Sequence, residues 1–493
     1  GVTLPPLKRG VREGELPLSY AQQRLWFADQ LTPGSALYNV AAAVRLSGPL
    51  NVSALERTLR EIIARHEVLR TSFPARDGEP VQVIAEQVEF ELPVTDLSAL
   101  PESEREQAAR RLAAEEAETS FDLSTGPLVR ARLLRLEEAE HVALFTMHHI
   151  VSDGWSVGVL IKEVSQLYEA YSRGEESPLA ELPIQYADYA VWQREWLTGE
   201  VLDKQLQYWR EQLAGAPETL ALPTDKTRPA VQTFRGASES LMLPAETSEA
   251  LKALSRHEDV TLFMMLLSVW QILLHWYSGQ EQIVIGTSIA NRHQAATEDL
   301  IGFFVNTLAL RGDLSGNPSY RELLRRVRET CLGAYAHQDL PFEKLVEELR
   351  PERSVGHAPF HQVWFTLKDE TTSELRLRDL SLNEFKISNT TSKLDLVLTA
   401  NDTGRGLTLV LEYDSDLFNA ITIRAMLKNY EVLLHHIIAQ PGAPLDVLKE
   451  ILTEEHRKQQ HDREKDLEAT DRQILKSTKR KLISKSKTAA TLS

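Results

Sequence analysis

Apolar and polar positions divide this chain into short, punctuated elements. Ser19 is placed to cap a helix whose apolar residues Ala21, Leu25, Trp26 and Leu31 recur at helical spacing. An apolar run, Tyr38–Leu46, suits a strand, and a helix follows from about Ser53 to His66. Pro101–Ser120 reads as an amphipathic helix whose Glu and Arg residues form a solvated face. Buried strands at Leu128–Leu136 and His141–Ile150 lead into a helix, Ser156–Tyr171. The Pro-containing passage Ser177–Pro183 offers a boundary, beyond which the mixture returns. Helices are predicted near Tyr186–Trp196 and Asp203–Leu213, then a loop at Leu222–Thr233 and a strand around Ser238–Leu243. An apolar helix Thr261–Tyr277, a buried strand Gln282–Ser288 and helices Ser319–His337 and Phe342–Leu349 follow. Strands Val363–Leu367, Lys393–Ala400 and Gly406–Tyr413 precede a last helix, Ala420–Ala439.

This pattern predicts an α/β fold with mixed sheets in two lobes of comparable size, each a sheet with covering helices. The expected divisions are a linker at 1–16, a first lobe at 17–178, a second at 179–453 and a tail at 454–493. The tail run Lys476–Lys487 holds five Lys and one Arg, no acid and no periodic apolar face, so disorder or a linker is its default.

With 493 residues there is ample length for more than one core. Cys331 is the single cysteine, which excludes an internal disulfide and Cys-based zinc sites and points to a reducing compartment. No stretch approaches the roughly 18 consecutive apolar residues of a membrane span, and the first residues lack a signal pattern. A soluble, cytoplasmic protein is expected. The net charge of −16 argues against nucleic acid as a partner.

The most informative stretch is His141-Val-Ala-Leu-Phe-Thr-Met-His148-His149-Ile-Val-Ser-Asp153-Gly154-Trp-Ser156. A buried strand runs into two histidines, then a short loop, then a helix read as capped near Ser156. Strand alternation would send His148 and His149 to opposite faces, which disfavours shared metal ligation, and no metal is expected. A neutral imidazole can accept a proton near pH 7, Gly154 leaves its amide open, and a helix N-terminus favours developing negative charge. A base, an open amide and a helix start are parts from which an acyl-transfer site is built. Asp153, a carboxylate among apolar neighbours, calls for a cationic partner and is assigned first to holding the loop. Trp26, Trp192, Trp196 and Trp209 read as packing residues and Cys331 as an inert small hydrophobe.

His148-His149-Ile-Val-Ser-Asp153-Gly154 resembles the HHxxxDG signature of nonribosomal peptide synthetase condensation domains and their chloramphenicol-acetyltransferase-like relatives. Six further stretches resemble the other condensation-domain motifs in order: Ser19–Trp26, Arg65–Phe73, Tyr186–Gln193, Ile301–Leu308, His337–Glu343 and Arg353–Phe365, the last departing from the commoner form at His361. The resemblance covers roughly residues 15–455. It implies two acetyltransferase-like lobes forming a V, with the histidine motif at their junction in a tunnel entered from opposite faces. No permanently bound cofactor is implied. Phosphopantetheine arms would be delivered by donor and acceptor peptidyl carrier proteins, with neighbouring synthetase domains as further partners and the domain itself a monomer.

In that frame the acceptor's α-amine attacks the donor thioester, and alignment of two reactants is worth roughly 7–11 kcal/mol of barrier. The expected catalytic residues are His149, whose Nε2 would meet the amine as base or as orienting group, Gly154, whose amide would face the oxyanion, and His148 as their packing neighbour. Arg292 and Arg70 compete as the partner of Asp153, and Tyr186, Asp188 and Asn306 are expected to be structural. The Tyr20-Ala-Gln-Gln-Arg and Ser152–Ser156 stretches resemble the class joining an L-donor to an L-acceptor, in antibiotic or siderophore assembly. No carrier motif or adenylation-type nucleotide loop is found, which implies an excised domain or the end of a longer chain. Two rival readings are a noncatalytic recruitment module of the same fold and an acyltransferase using a coenzyme A thioester or an alcohol acceptor.

Overall fold

The computed structural model describes residues 5–12, 14–349, 360, 362–369, 375, 377–387, 391–404, 406–461 and 465. The basic run Lys476–Lys487 lies outside these, as do 353–359 and 361 of the last predicted motif.

Among the described residues the strands build two large mixed sheets. In the first, Ser381–Glu384, Asn39–Ser47, Glu140–His148 and Val129–Glu137 pair antiparallel in that order, and Val94–Asp96 adds a parallel edge. The second runs Asn306–Asp313, Gln282–Ile289, Val363–Asp369, Leu396–Asp402, Leu407–Asp414, Gly236–Met242, with the two pairings around Val363–Asp369 parallel. A small sheet around Glu79–Ile84 joins the start of the fold, Leu16–Pro17, to Thr71–Ser72.

Local chemistry sets the helix starts. Ser19 and Gln22 form a capping box ahead of Tyr20–Leu31, while Asn51 and Thr261 each accept a backbone amide ahead of Val52–Arg65 and Leu262–Ser278. Leu262–Ser278 is apolar nearly all round because it is the central helix of the second core, and Gly279 ends it in the left-handed conformation. Among the described residues no single helix is long and apolar enough to cross a membrane.

The two cores do not divide at one point in the chain. The helix Tyr186–Trp196, assigned above to the second lobe, contributes Tyr186 and Tyr189 to the first core, and so do Leu300–Phe304 and Leu377. The second core begins with the next helix, Gly199–Leu213. Pattern locates elements but not which core a short helix joins. The expected linker is also docked in part. Pro5 accepts Trp192 Nε1–H at 3.0 Å, and Arg12 binds Asp188 at 2.6 Å and Glu67 at 2.9 Å. The expected tail begins as a helix, residues 445–461 being helical. Helix Ala245–His257 and strands Glu79–Ile84, Asn306–Asp313 and Ser381–Glu384 were not anticipated.

Candidate active site at the junction of the sheets

The strand Glu140–His148 pairs with Asn39–Ser47 and ends where Asn39 opposes His148. His149–Val151 then form one 3-10 turn, and the helix Gly154–Ser172 begins immediately after Asp153. The expected strand therefore stops two residues early, and the histidines are separated by a change of backbone rather than by strand alternation. The helix cap is Asp153, not Ser156: Asp153 Oδ1 accepts the Ser156 amide at 2.8 Å.

His148 is buried, and its Nδ1 accepts the Ile150 amide at 3.1 Å, so its proton sits on Nε2. His149 has the opposite tautomer. Its Nδ1 lies 2.7 Å from the Ser152 carbonyl, which can only accept, leaving Nε2 with a free lone pair. Its amide donates to the Tyr38 carbonyl at 2.8 Å, and its ring packs edge-on to Phe303 at 4.8 Å. Burial, aided by the charges of His149 and Lys393, pushes His148 down to about 3. Burial and then the Lys393 ammonium hold His149 down to about 4, against the opposing pull of the Ser152 carbonyl and Asp153. Both rings are neutral at physiological pH, and His149, though enclosed by protein, keeps part of its surface accessible.

Gly154 occupies the first helical position, where the N–H has no partner within the helix. It is exposed, and a Cβ built on it would meet nothing within 4 Å. No neighbour in the fold requires glycine here, so the open space beside the amide is what glycine preserves.

Asp153 faces the other way, into the interior. Its Oδ1 accepts from Ser156 and from Arg292 Nη2 at 3.2 Å, and its Oδ2 accepts the Phe304 amide at 2.9 Å. Arg292 also donates to the Leu300 and Thr297 carbonyls and stacks 4.0 Å over the Phe304 ring. Of the two arginines expected to compete for Asp153, the structure brings only Arg292 to it. Arg70 instead donates to the Ala85 carbonyl. The second motif lies at the small sheet's edge, so Arg70 serves a local turn.

Ser156 is a residue that sequence reasoning undervalued. Its Oγ lies 2.7 Å from Asp153 Oδ1 and 2.8 Å from the Gly302 carbonyl, and accepts the Gly302 amide at 3.0 Å. Gly302 must be glycine, because a Cβ there would stand 2.0 Å from the Tyr186 ring. Tyr186 donates to the Phe303 carbonyl at 2.5 Å and meets Ser19 Oγ at 2.8 Å, so three of the motifs are tied behind His149. Asn306 stitches its strand to the Gln338 and Leu340 carbonyls, and Asp188 closes a cap on Gln185. Two further side chains lie near the site: Arg24, from the first motif, and Lys393, which had no local signal. Arg24 pairs with Glu343 at 3.0 Å and lies 5.9 Å from the Phe303 ring, while Lys393 stands 4.3 Å over Tyr38. Among the described residues no group of three His, Cys, Asp or Glu side chains is arranged to hold a metal.

Comparison with known proteins gives concordant results. The family model described as Condensation domain matches residues 12–460. Two of the similar proteins are linear gramicidin synthase subunits of Brevibacillus parabrevis. One is 50% identical over 457 residues, covering 92% of this chain and 6% of that protein. Another is 52% identical over 435 residues, covering 87% of this chain and 8% of that protein. The chain thus spans less than a tenth of the length of these relatives. Among solved structures, the X-domain in its complex with OxyB from teicoplanin biosynthesis superposes with a TM-score of 0.82 at 28% identity, covering 91% of this chain and 98% of that one.

Proposed function

Since the chain belongs to the condensation-domain family, whose members form peptide bonds in nonribosomal peptide synthetases, we propose that it joins a donor acyl or peptidyl thioester to an acceptor aminoacyl thioester. Each reactant arrives on the phosphopantetheine arm of a separate carrier protein, in the cytoplasm, with the domain acting as a monomer. The first-motif and Ser152–Ser156 stretches favour an L-configured donor and acceptor.

The observation that supports this reading most is the pairing of an unprotonated, accessible His149 Nε2 with an open Gly154 amide at a helix N-terminus. The acceptor amine forms a C–N bond to the thioester carbonyl while His149 Nε2 accepts or orients its proton. The oxygen that becomes negative in the tetrahedral species faces the Gly154 amide. The C–S bond then breaks, and the departing thiolate takes up a proton. Asp153 and Arg292 act from behind by fixing the loop that presents both groups. His148 packs beneath with its own tautomer fixed by Ile150.

The likeness to the X-domain gives the recruitment reading its observation, a shared fold. The test is amide formation from separately loaded donor and acceptor carriers, with wild type and His149→Ala side by side. The catalytic reading predicts product with wild type and a loss of about 10²–10⁴-fold in the variant. No product from either would leave recruitment standing. Equal rates with carrier-free coenzyme A thioesters would favour the acyltransferase rival.

A further inference from the structure

Lys393 is placed at this site by contacts the chemistry above does not use. Gly236 lacks the Cβ that would stand 2.4 Å from the Thr391 carbonyl carbon, so the 391–392 backbone closes on the edge strand. Thr391 bridges Arg235, and the Ser392 amide donates to the Phe234 carbonyl at 2.8 Å. Lys393 is thereby carried from the second sheet onto the Tyr38 ring at 4.3 Å. Tyr38 is the residue whose carbonyl holds the His149 amide, and its ring lies 6.2 Å from that of His148. Lys393 remains accessible to solvent.

We propose that Lys393 is a positioning residue for His149: its ammonium, set on the Tyr38 ring whose backbone carbonyl anchors the His149 amide, stands beside the histidine turn and adds to burial in favouring the neutral imidazole. The proposal rests on the reading of His149 given above. The other charges near the imidazole are already engaged, Asp153 with Arg292 and Arg24 with Glu343, while His148 is neutral. Lys393 itself faces Glu412 and Arg24, and Glu412 also faces Lys368. Burial brings the Lys393 ammonium down to about 8, leaving it cationic at neutral pH.

The test is a pH titration of the His149 imidazole by NMR on the isotope-labelled full chain, with the resonance assigned through His149→Gln. Lys393→Met is expected to raise the proton affinity of His149 about tenfold. Lys393→Arg, which keeps the charge, should leave it within about twofold. Glu412→Gln, which removes an opposing charge, should lower it, and this variant carries the test if Lys393→Met does not fold. An unchanged midpoint in a folded Lys393→Met, or in Glu412→Gln if the methionine variant fails to fold, overturns the proposal. Loss of amide formation in His149→Ala alongside an unmoved midpoint would sink the role of Lys393 alone. A moved midpoint with a fully active His149→Ala would sink the reading of His149 instead.

Discussion

Arg292 and Asp153 meet with Nη2 3.2 Å from Oδ1, and both side chains are only 2% exposed. The contact joins the segment after strand Gln282–Ile289 to the cap of the helix Gly154–Ser172, so one ion pair ties the second sheet to the loop presenting His149. Four donors converge on Asp153: the Ser156 amide and hydroxyl, the Phe304 amide and the Arg292 guanidinium.

Removing one member of such a buried pair costs about 3–5 kcal/mol, because the other is left charged and unpaired. Asp153→Ala is therefore expected to unfold at lower denaturant or to precipitate. The double variant Asp153→Ala/Arg292→Leu should lose less than the sum of the two singles. Urea denaturation of the four proteins checks this. A stable but slow Asp153→Ala would move Asp153 from architecture to chemistry.

Gly154 gives the converse case. Its Cβ position is empty, so Gly154→Ala and Gly154→Val should fold with little change in melting temperature. The same side chains would stand in the space beside the amide that meets the oxyanion, and amide formation should fall, more for Val than for Ala. Loss of one oxyanion donor costs about 10²–10³-fold in comparable sites. Equal activity of Gly154→Val and wild type would show that the reacting oxygen lies elsewhere.

Tyr186→Phe should act through the scaffold. The hydroxyl satisfies the buried Phe303 carbonyl and receives Ser19, and its loss strands both at about 1–3 kcal/mol. Thermal unfolding should report the loss, while folded enzyme keeps its dependence on acceptor concentration. A changed acceptor dependence at wild-type stability would instead place Tyr186 in the substrate path.

Most helices, Val52–Arg65 and Ala420–Ala439 among them, were legible because capping residues and apolar periodicity are local signals. The histidine turn was legible as a motif but not as geometry. Ser156 looked like a cap from its position, whereas the carboxylate three residues earlier accepts the Ser156 amide and starts the helix at Gly154. Strand Asn306–Asp313 was missed because Asn, Thr and Gly break its alternation; it exists through eight residues of pairing with Gln282–Ile289. Ala245–His257 did carry a signal, with Pro244 before it and Glu246 in its first turn. Lys393 had none. Its role depends on Tyr38 at the other end of the chain and on the absence of a Cβ at Gly236.

The histidine tautomers and their depressed proton affinities fix the pH behaviour. In the folded protein His148 and His149 titrate near about 3 and about 4, against an ordinary 6.5. Between those limits the unfolded chain binds more protons than the folded one, so stability is intact above about pH 6.5 and is lost as pH falls toward 4. Replacing His148 by Phe should flatten that acid slope in denaturation measured from pH 7 to pH 4.5. Chemistry should follow a different group. His149 Nε2 stays unprotonated through this whole range, so the acid limb of amide formation belongs to the acceptor amine, whose ordinary value is about 8. Acceptors with a less basic amine should shift that limb to lower pH by the difference in their basicity. A limb fixed at one pH for every acceptor would mean that a protein group limits the rate, and that His149 is not held neutral as its surroundings require.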